Sequence, residues 1–138
     1  MNRALLAQKL AQIATCLEEM EPLLGTRLAE FRSTPGHFRL AERDVQLTVD
    51  SAVDVNNHLI LEAGRQPPET YFDTFLALAQ LGALSQALAR KLARTTGLRN
   101  RIVHEYETVD LGVLHGALRE FVRGYRQYIR AVRRRVGI

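Results

Sequence analysis

A single cysteine, Cys16, stands among 138 residues, so the chain closes no internal disulfide and offers no cysteine-based metal cluster. Set among Ala14, Thr15 and Leu17, it is expected to be a small buried residue. No apolar run approaches the roughly 20 residues that span a bilayer. The opening Met1-Asn2-Arg3 leads into mixed polar and apolar residues rather than the uninterrupted apolar stretch of a signal peptide, so a cytoplasmic location with no membrane contact is expected. The four histidines, His37, His58, His104 and His115, have neither zinc-ligand spacing nor cysteine partners, and neither a metal nor a cofactor is expected. Gly97 stands alone, which excludes a glycine-rich phosphate cradle, and no hydrolytic triad can be assembled. Alternating strand patterns, internal repeats and low-complexity segments are also missing.

What is present is helical. With 46% hydrophobic and 25% charged residues, the composition is that of an ordinary globular protein, and its length predicts one domain over residues 1–138. Leu6, Leu10, Ile13, Leu17, Met20, Leu24, Leu28 and Phe31 recur at three- and four-residue spacings, predicting one long first helix that Pro22 bends without stopping. Ser33 to Gly36 is the turn that follows. A second helix, over about His37 to Glu62, is apolar on more than one side and so central. Its polar residues Arg43, Gln46, Asp50, Asp54 and Asn57 form a single stripe with His58 beside it. That stripe is either a solvent face or the wall of a polar cleft or subunit seam.

Gly64 to Pro68 is the clearest loop. A short helix follows from Tyr71 to Ala79, ending near Gly82. Ser85 can cap the next, which is expected to stop at Thr95-Thr96-Gly97. Asp110 is a good N-cap for a last helix in which Leu111, Leu114, Leu118, Phe121, Tyr125, Ile129, Val132 and Val136 make a continuous stripe. The prediction is an all-α bundle of long helices with shorter connecting helices.

The net charge of +4 is modest but uneven. Arg123, Arg126, Arg130, Arg133, Arg134 and Arg135 crowd the end of the chain, and Arg90, Lys91, Arg94, Arg99 and Arg101 form a second basic stretch. The terminal group is either a solvated face that complements the helix dipole or a contact for nucleic acid.

The densest chemistry lies in Arg99-Asn100-Arg101-Ile102-Val103-His104-Glu105-Tyr106. Histidine exchanges a proton near neutral pH, and arginine pairs bidentately with phosphate, so the run suggests phosphodiester chemistry. On an ideal helix Arg99 and His104 differ by about 140° and rise about 7.5 Å. One copy therefore makes an awkward site. A two-fold dimer facing two such helices across a cleft would supply two arginines and two histidines around one phosphate.

Arg99-x4-His104, with Asn100 after the arginine and Tyr106 two past the histidine, resembles the R-N-x-x-x-H-x-Y signature of HepT-like toxins of the HEPN superfamily. The similarity runs from about Arg43 to Asp110. It takes in Asp54, Asn57 and His58, then Gly64 and Pro67, then Tyr71, Phe75 and Leu76, and finally Gly97 and Asp110.

The resemblance implies a HEPN-type bundle and a metal-independent endoribonuclease, the toxin of a type VII toxin–antitoxin pair. In such a mechanism the RNA's own 2′-hydroxyl attacks the adjacent phosphate. His104 would act as general acid or base, and Arg99 would stabilise the charge on the phosphorane. Asn100 would orient the phosphate or the histidine, or else cap the helix. Tyr106 would receive AMP from a cognate minimal nucleotidyltransferase antitoxin, placing charge and bulk beside the cutting pair; otherwise it is a packing residue. Asp54 and His58 would line the cleft or serve structure, and Arg101 would add RNA affinity. Glu105, His37 and His115 are expected only at a solvated surface. The alternative function is a non-catalytic HEPN module that binds nucleotides or docks a nucleotidyltransferase.

Overall fold

The computed structural model describes residues 1–104 and 109–138. Among the described residues six α-helices make up the bundle: α1 (Arg3–Met20), α2 (Leu28–Ser33), α3 (Pro35–Glu62), α4 (Tyr71–Gln80), α5 (Gln86–His104) and α6 (Leu111–Val136). No strand occurs among the described residues. Glu105 and Tyr106 fall outside them.

The polar contacts fix the helix directions. Met1 reaches Glu62 at 3.1 Å and Lys9 reaches Asp54 at 2.9 Å, so α1 runs antiparallel to α3. Arg3 Nε donates to the Val136 carbonyl at 3.1 Å and Arg126 pairs with Glu21 at 2.8 Å, which sets α6 antiparallel to α1. Lys91 meets Glu120 at 2.7 Å. Gly124 lets α5 and α6 approach closely: a Cβ built there would stand 3.3 Å from Leu92 Cδ2.

One core joins these helices, with Leu10, Leu17, Phe31, Val49, Phe75, Leu92, Leu118 and Tyr125 all buried. A polar chain runs through it. The Tyr128 hydroxyl lies 2.6 Å from Asn56 Oδ1 and 3.0 Å from the Ala52 carbonyl. Asn56 Nδ2 then donates to Thr74 Oγ1 at 3.1 Å, and Thr74 donates to the Tyr71 carbonyl at 2.7 Å. Buried polar groups cost little when bonded in this way. The chain fixes the first turn of α4 against α3 and α6.

The caps follow the sequence. Ser85 Oγ accepts from Leu88 N at 3.1 Å, and Asp110 Oδ1 accepts from Gly112 N and Val113 N. Gly137 ends α6 in the left-handed conformation, at φ 75°, where glycine carries no Cβ penalty. Cys16 is buried, and burial, with the Asp44 carboxylate beside it, pushes its thiol up to about 11.

Several expectations fail. Pro22 does not merely bend the first helix. A 3-10 turn over Glu21–Gly25 replaces it, and Thr26 and Arg27 are extended. The tighter 3-10 winding rotates the stripe, so Leu23 is buried while Leu24 and Leu28 are half-buried. Nor does α5 stop at Gly97; it continues to His104. Thr95 and Thr96 satisfy their hydroxyls on the carbonyls of Leu92 and Ala93, three residues back, and Leu98 and Ile102 keep the helix on the core. His115 is not a solvated surface residue. Its Nε2 lies 2.6 Å from the Thr26 carbonyl, and its ring packs 5.1 Å from Phe31.

Candidate functional site

Arg99 lies 13 residues into α5, on the side facing α3. Its Nε donates to Asp50 Oδ1 at 2.8 Å, with the arginine side chain 13% exposed and the aspartate 31%. The Asp50 carboxylate comes from the polar stripe of α3, which therefore is not a plain solvent face. Beneath the guanidinium is the Tyr71 ring, with Cζ 4.9 Å from its centroid, close enough for cation–π attraction. Nη1 bonds the Asn100 Oδ1 at 3.3 Å. An acid on one side, a ring below and an amide beside it thus hold the guanidinium's orientation.

Tyr71 is itself held at the first turn of α4, where its carbonyl takes the last hydrogen bond of the buried Tyr128–Asn56–Thr74 chain. The core therefore reaches the site through a continuous set of polar contacts. Asp50 and Tyr71 are the two positioning residues that reading the sequence for function did not single out. The stripe spacing contained Asp50, but nothing in the sequence assigned it to Arg99.

His104 is the last residue of α5 and is exposed. Asn100 and Arg101 are exposed as well. The structure does not gather every predicted residue at one point. Asp54 pairs with Lys9 of α1, and His58 Nε2 accepts from the Asn2 backbone N–H at 3.3 Å. Both contacts bind α3 to the start of α1, so in one chain these two side chains serve that junction. Tyr106 lies outside the described residues.

This arrangement can grip a phosphate with a fixed cation and exchange a proton through an exposed imidazole on the same helix. A family model described as "Ribonuclease HepT-like" matches residues 13–132. The chain belongs to the HepT-like ribonuclease family. The resemblance read from Arg99 to Tyr106 and its flanking positions is thereby borne out. Among relatives of this family, the chain is similar to the tRNA nuclease HepT of Aphanizomenon flos-aquae. The two are 28% identical over 124 residues, covering 90% of this chain and 84% of that protein. It is 24% identical to the mRNA nuclease HepT of Shewanella oneidensis over 132 residues, covering 94% and 96%. The solved tri-AMPylated HEPN toxin of Shewanella oneidensis, in complex with an MNT antitoxin, superposes with a TM-score of 0.85 at 23% identity, covering 96% of this chain and 98% of that one. The all-α HEPN fold expected from sequence is the fold observed.

Proposed function

We propose that this HepT-like ribonuclease is the toxin of a type VII toxin–antitoxin pair, and that it cleaves RNA in the cytoplasm without a metal. Arg99 and His104 carry the reaction. The 2′-hydroxyl attacks the neighbouring phosphorus, the P–O5′ bond breaks, and the products are a 2′,3′-cyclic phosphate and a 5′-hydroxyl. His104 takes the 2′ proton or supplies one to the leaving oxygen, while Arg99 neutralises the extra charge on the pentacoordinate phosphorus. Asn100 sits against Nη1 of Arg99 and positions the guanidinium or the phosphate. Arg101 adds charge for the RNA.

The observation that carries this reading is the Arg99–Asp50 ion pair on Tyr71. It keeps an arginine in place for a ligand, five residues before an exposed histidine. On an ideal helix these two residues point about 140° apart, which favours a homodimer whose facing copies complete one composite site. Asp54 and His58 lie further along α3 and line the seam of that dimer. The cognate minimal nucleotidyltransferase transfers AMP to Tyr106, and the added phosphate competes with RNA for the arginine.

The test is purified protein incubated with total RNA in a chelator, followed by end-group analysis. Cyclic phosphate ends are expected. Arg99→Ala and His104→Ala should each lower cleavage by about 10²- to 10³-fold with helicity and dimerisation unchanged. Full cleavage by either folded variant would remove that residue from the reaction, and intact RNA with the parent protein would leave the non-catalytic module. Tyr106→Phe should stay toxic and take up no AMP; unchanged incorporation would place the modification elsewhere.

A further inference from the structure

The positive charge of this protein is concentrated on one helix. The chain has 19 basic and 15 acidic residues, whereas α6 has seven arginines, no lysine and one glutamate. That leaves 12 basic against 14 acidic residues elsewhere, so α6 holds the whole excess. Arg119, Arg123, Arg126, Arg130 and Arg134 follow spacings of four, three, four and four. They form one stripe about 22 Å long.

The two halves of the stripe differ. Arg119 donates to the Leu24 carbonyl, Arg123 pairs with Glu120 and Arg126 pairs with Glu21. Arg130 and Arg134 are exposed and have no ion pair among the described residues. Both line an open cleft of about 520 Å³ between α6 and the start of α5, together with Ser85, Leu88 and Gln127. The cleft has no aromatic residue in its lining, so it lacks the buried aromatic anchor on which protein–protein contacts depend. Unpaired guanidinium groups above a polar cleft suit phosphate. From Gln86, beside this cleft, α5 runs about 20 Å to Arg99. One ligand that reaches both places must be much larger than a dinucleotide.

We propose that the Arg130–Arg134 end of α6 is a second RNA-docking surface, which holds the backbone of a double-stranded stem while an unpaired segment enters the Arg99–His104 site. Stems are recognised through phosphates and shape rather than base edges, which is what a row of arginines can supply. The surface would make this ribonuclease select folded RNA over short single strands. The inference rests on the nuclease reading for its purpose, but its binding test does not.

Binding is measured by fluorescence anisotropy in a His104→Ala background, with a labelled hairpin RNA whose stem has about ten base pairs. Arg130→Gln with Arg134→Gln should weaken binding at least about tenfold and flatten the slope of log K against log salt by about 1.8, the share of two phosphate contacts on a duplex. In the His104-containing enzyme, the same pair should raise KM for the hairpin and leave kcat unchanged, with a tetranucleotide cleaved as before. An unchanged hairpin affinity and salt slope would overturn the proposal. So would an equal loss in the charge-matched control Arg39→Gln with Arg65→Gln, which would reduce the effect to net charge. Retained RNA affinity with lost binding of the nucleotidyltransferase would assign the surface to a protein instead. Failure of the parent to cleave any RNA would sink the nuclease reading alone, because the anisotropy result stands without it.

Discussion

Asp44 and Asp50 lie six residues apart on α3 and have opposite fates. Asp50 is partly exposed and holds Arg99 at 2.8 Å. Asp44 is fully buried, and neither of its carboxyl oxygens has a hydrogen-bond partner among the described residues; the Arg43 guanidinium lies 3.7 Å away. Burial first, then the Glu19 carboxylate close by, pushes Asp44 up from 3.8 to about 6. The Thr48 hydroxyl one turn on is likewise buried without a partner. Position within the bundle thus makes one carboxylate a tool for orienting a cation and the other a cost to the fold. The surface of α3 that faces α5 is built to hold charge, and the buried Asp44 position against α1 is not.

The largest effect should come from removing the useful member. Asp50→Ala leaves Arg99 without its acid and free to swing, and RNA cleavage should drop about 100-fold, equivalent to about 2.7 kcal/mol of transition-state stabilisation. Asp50→Asn keeps a hydrogen-bond acceptor for Nε and should recover part of that loss. Because Asp50 acts through Arg99, the loss should sit in kcat more than in KM and should vanish in an Arg99→Ala background. Additive losses in the double variant would separate the two residues.

The opposite sign is expected at Asp44. Between its unfolded value of 3.8 and its folded value of about 6, the native carboxyl keeps a proton that the unfolded chain has released. Stability therefore falls as pH rises through that window and stays reduced above it. Asp44→Asn carries no charge to bury, and its amide can donate to Thr48 Oγ1. The variant should be about 1 to 3 kcal/mol more stable at pH 7.5 and no more stable below about pH 4. Urea denaturation at the two pH values measures this. Equal stabilisation at both would mean that packing, rather than charge, separates Asp44 from Asp50.

Much of this was legible in the chain. The α3, α4 and α6 helices, the Asp110 cap of α6 and the Ser85 cap of α5 follow from apolar spacing and from side chains that bond the first turn. Arg99 and His104, the proposed cutting pair, stand out in the sequence because their spacing within an unusual run marks them. What the sequence hid was tertiary. Apolar residues keep three- and four-residue spacings past Pro22, so the break after Met20 and the rotation of the stripe by the 3-10 turn do not show in the spacing, and Gly97 looks like a stop because the Thr95 and Thr96 back-bonds and the packing of Leu98 come from the folded bundle. Spacing puts Asp50 on the polar stripe and leaves Asp44 off it, but only the packing of α1 on one and of α5 on the other shows that Asp44 is buried beside Glu19 and that Asp50 holds Arg99.

Tyr71 sharpens the comparison further, because it supports Arg99 without charge. Tyr71→Leu keeps an apolar floor under the guanidinium and loses only the ring's attraction, worth about 0.5 to 1 kcal/mol at a partly exposed site. Cleavage should fall about two- to fivefold, far less than for Asp50→Ala. A loss as large as that of Asp50→Ala would make the ring, not the acid, the main orienting group.

The smallest effect should come from the third aspartate of the same helix. Asp54 meets Lys9 at 2.9 Å, nearly as close as Asp50 to Arg99 at 2.8 Å, yet its side chain is 58% exposed. Water screens such a pair, and long side chains lose entropy in making it, so Asp54→Ala should change stability by less than about 1 kcal/mol. The contact also joins α3 to α1 rather than to α5, so within one chain it does not reach Arg99. If the dimer seam includes Asp54, its removal should instead raise the dimer dissociation constant, read by sedimentation at several protein concentrations, while the thermal unfolding of the monomer stays in place. A dissociation constant equal to the parent's would leave Asp54 as a surface ion pair, and would show that, of the three aspartates on α3, only the one facing α5 serves the site.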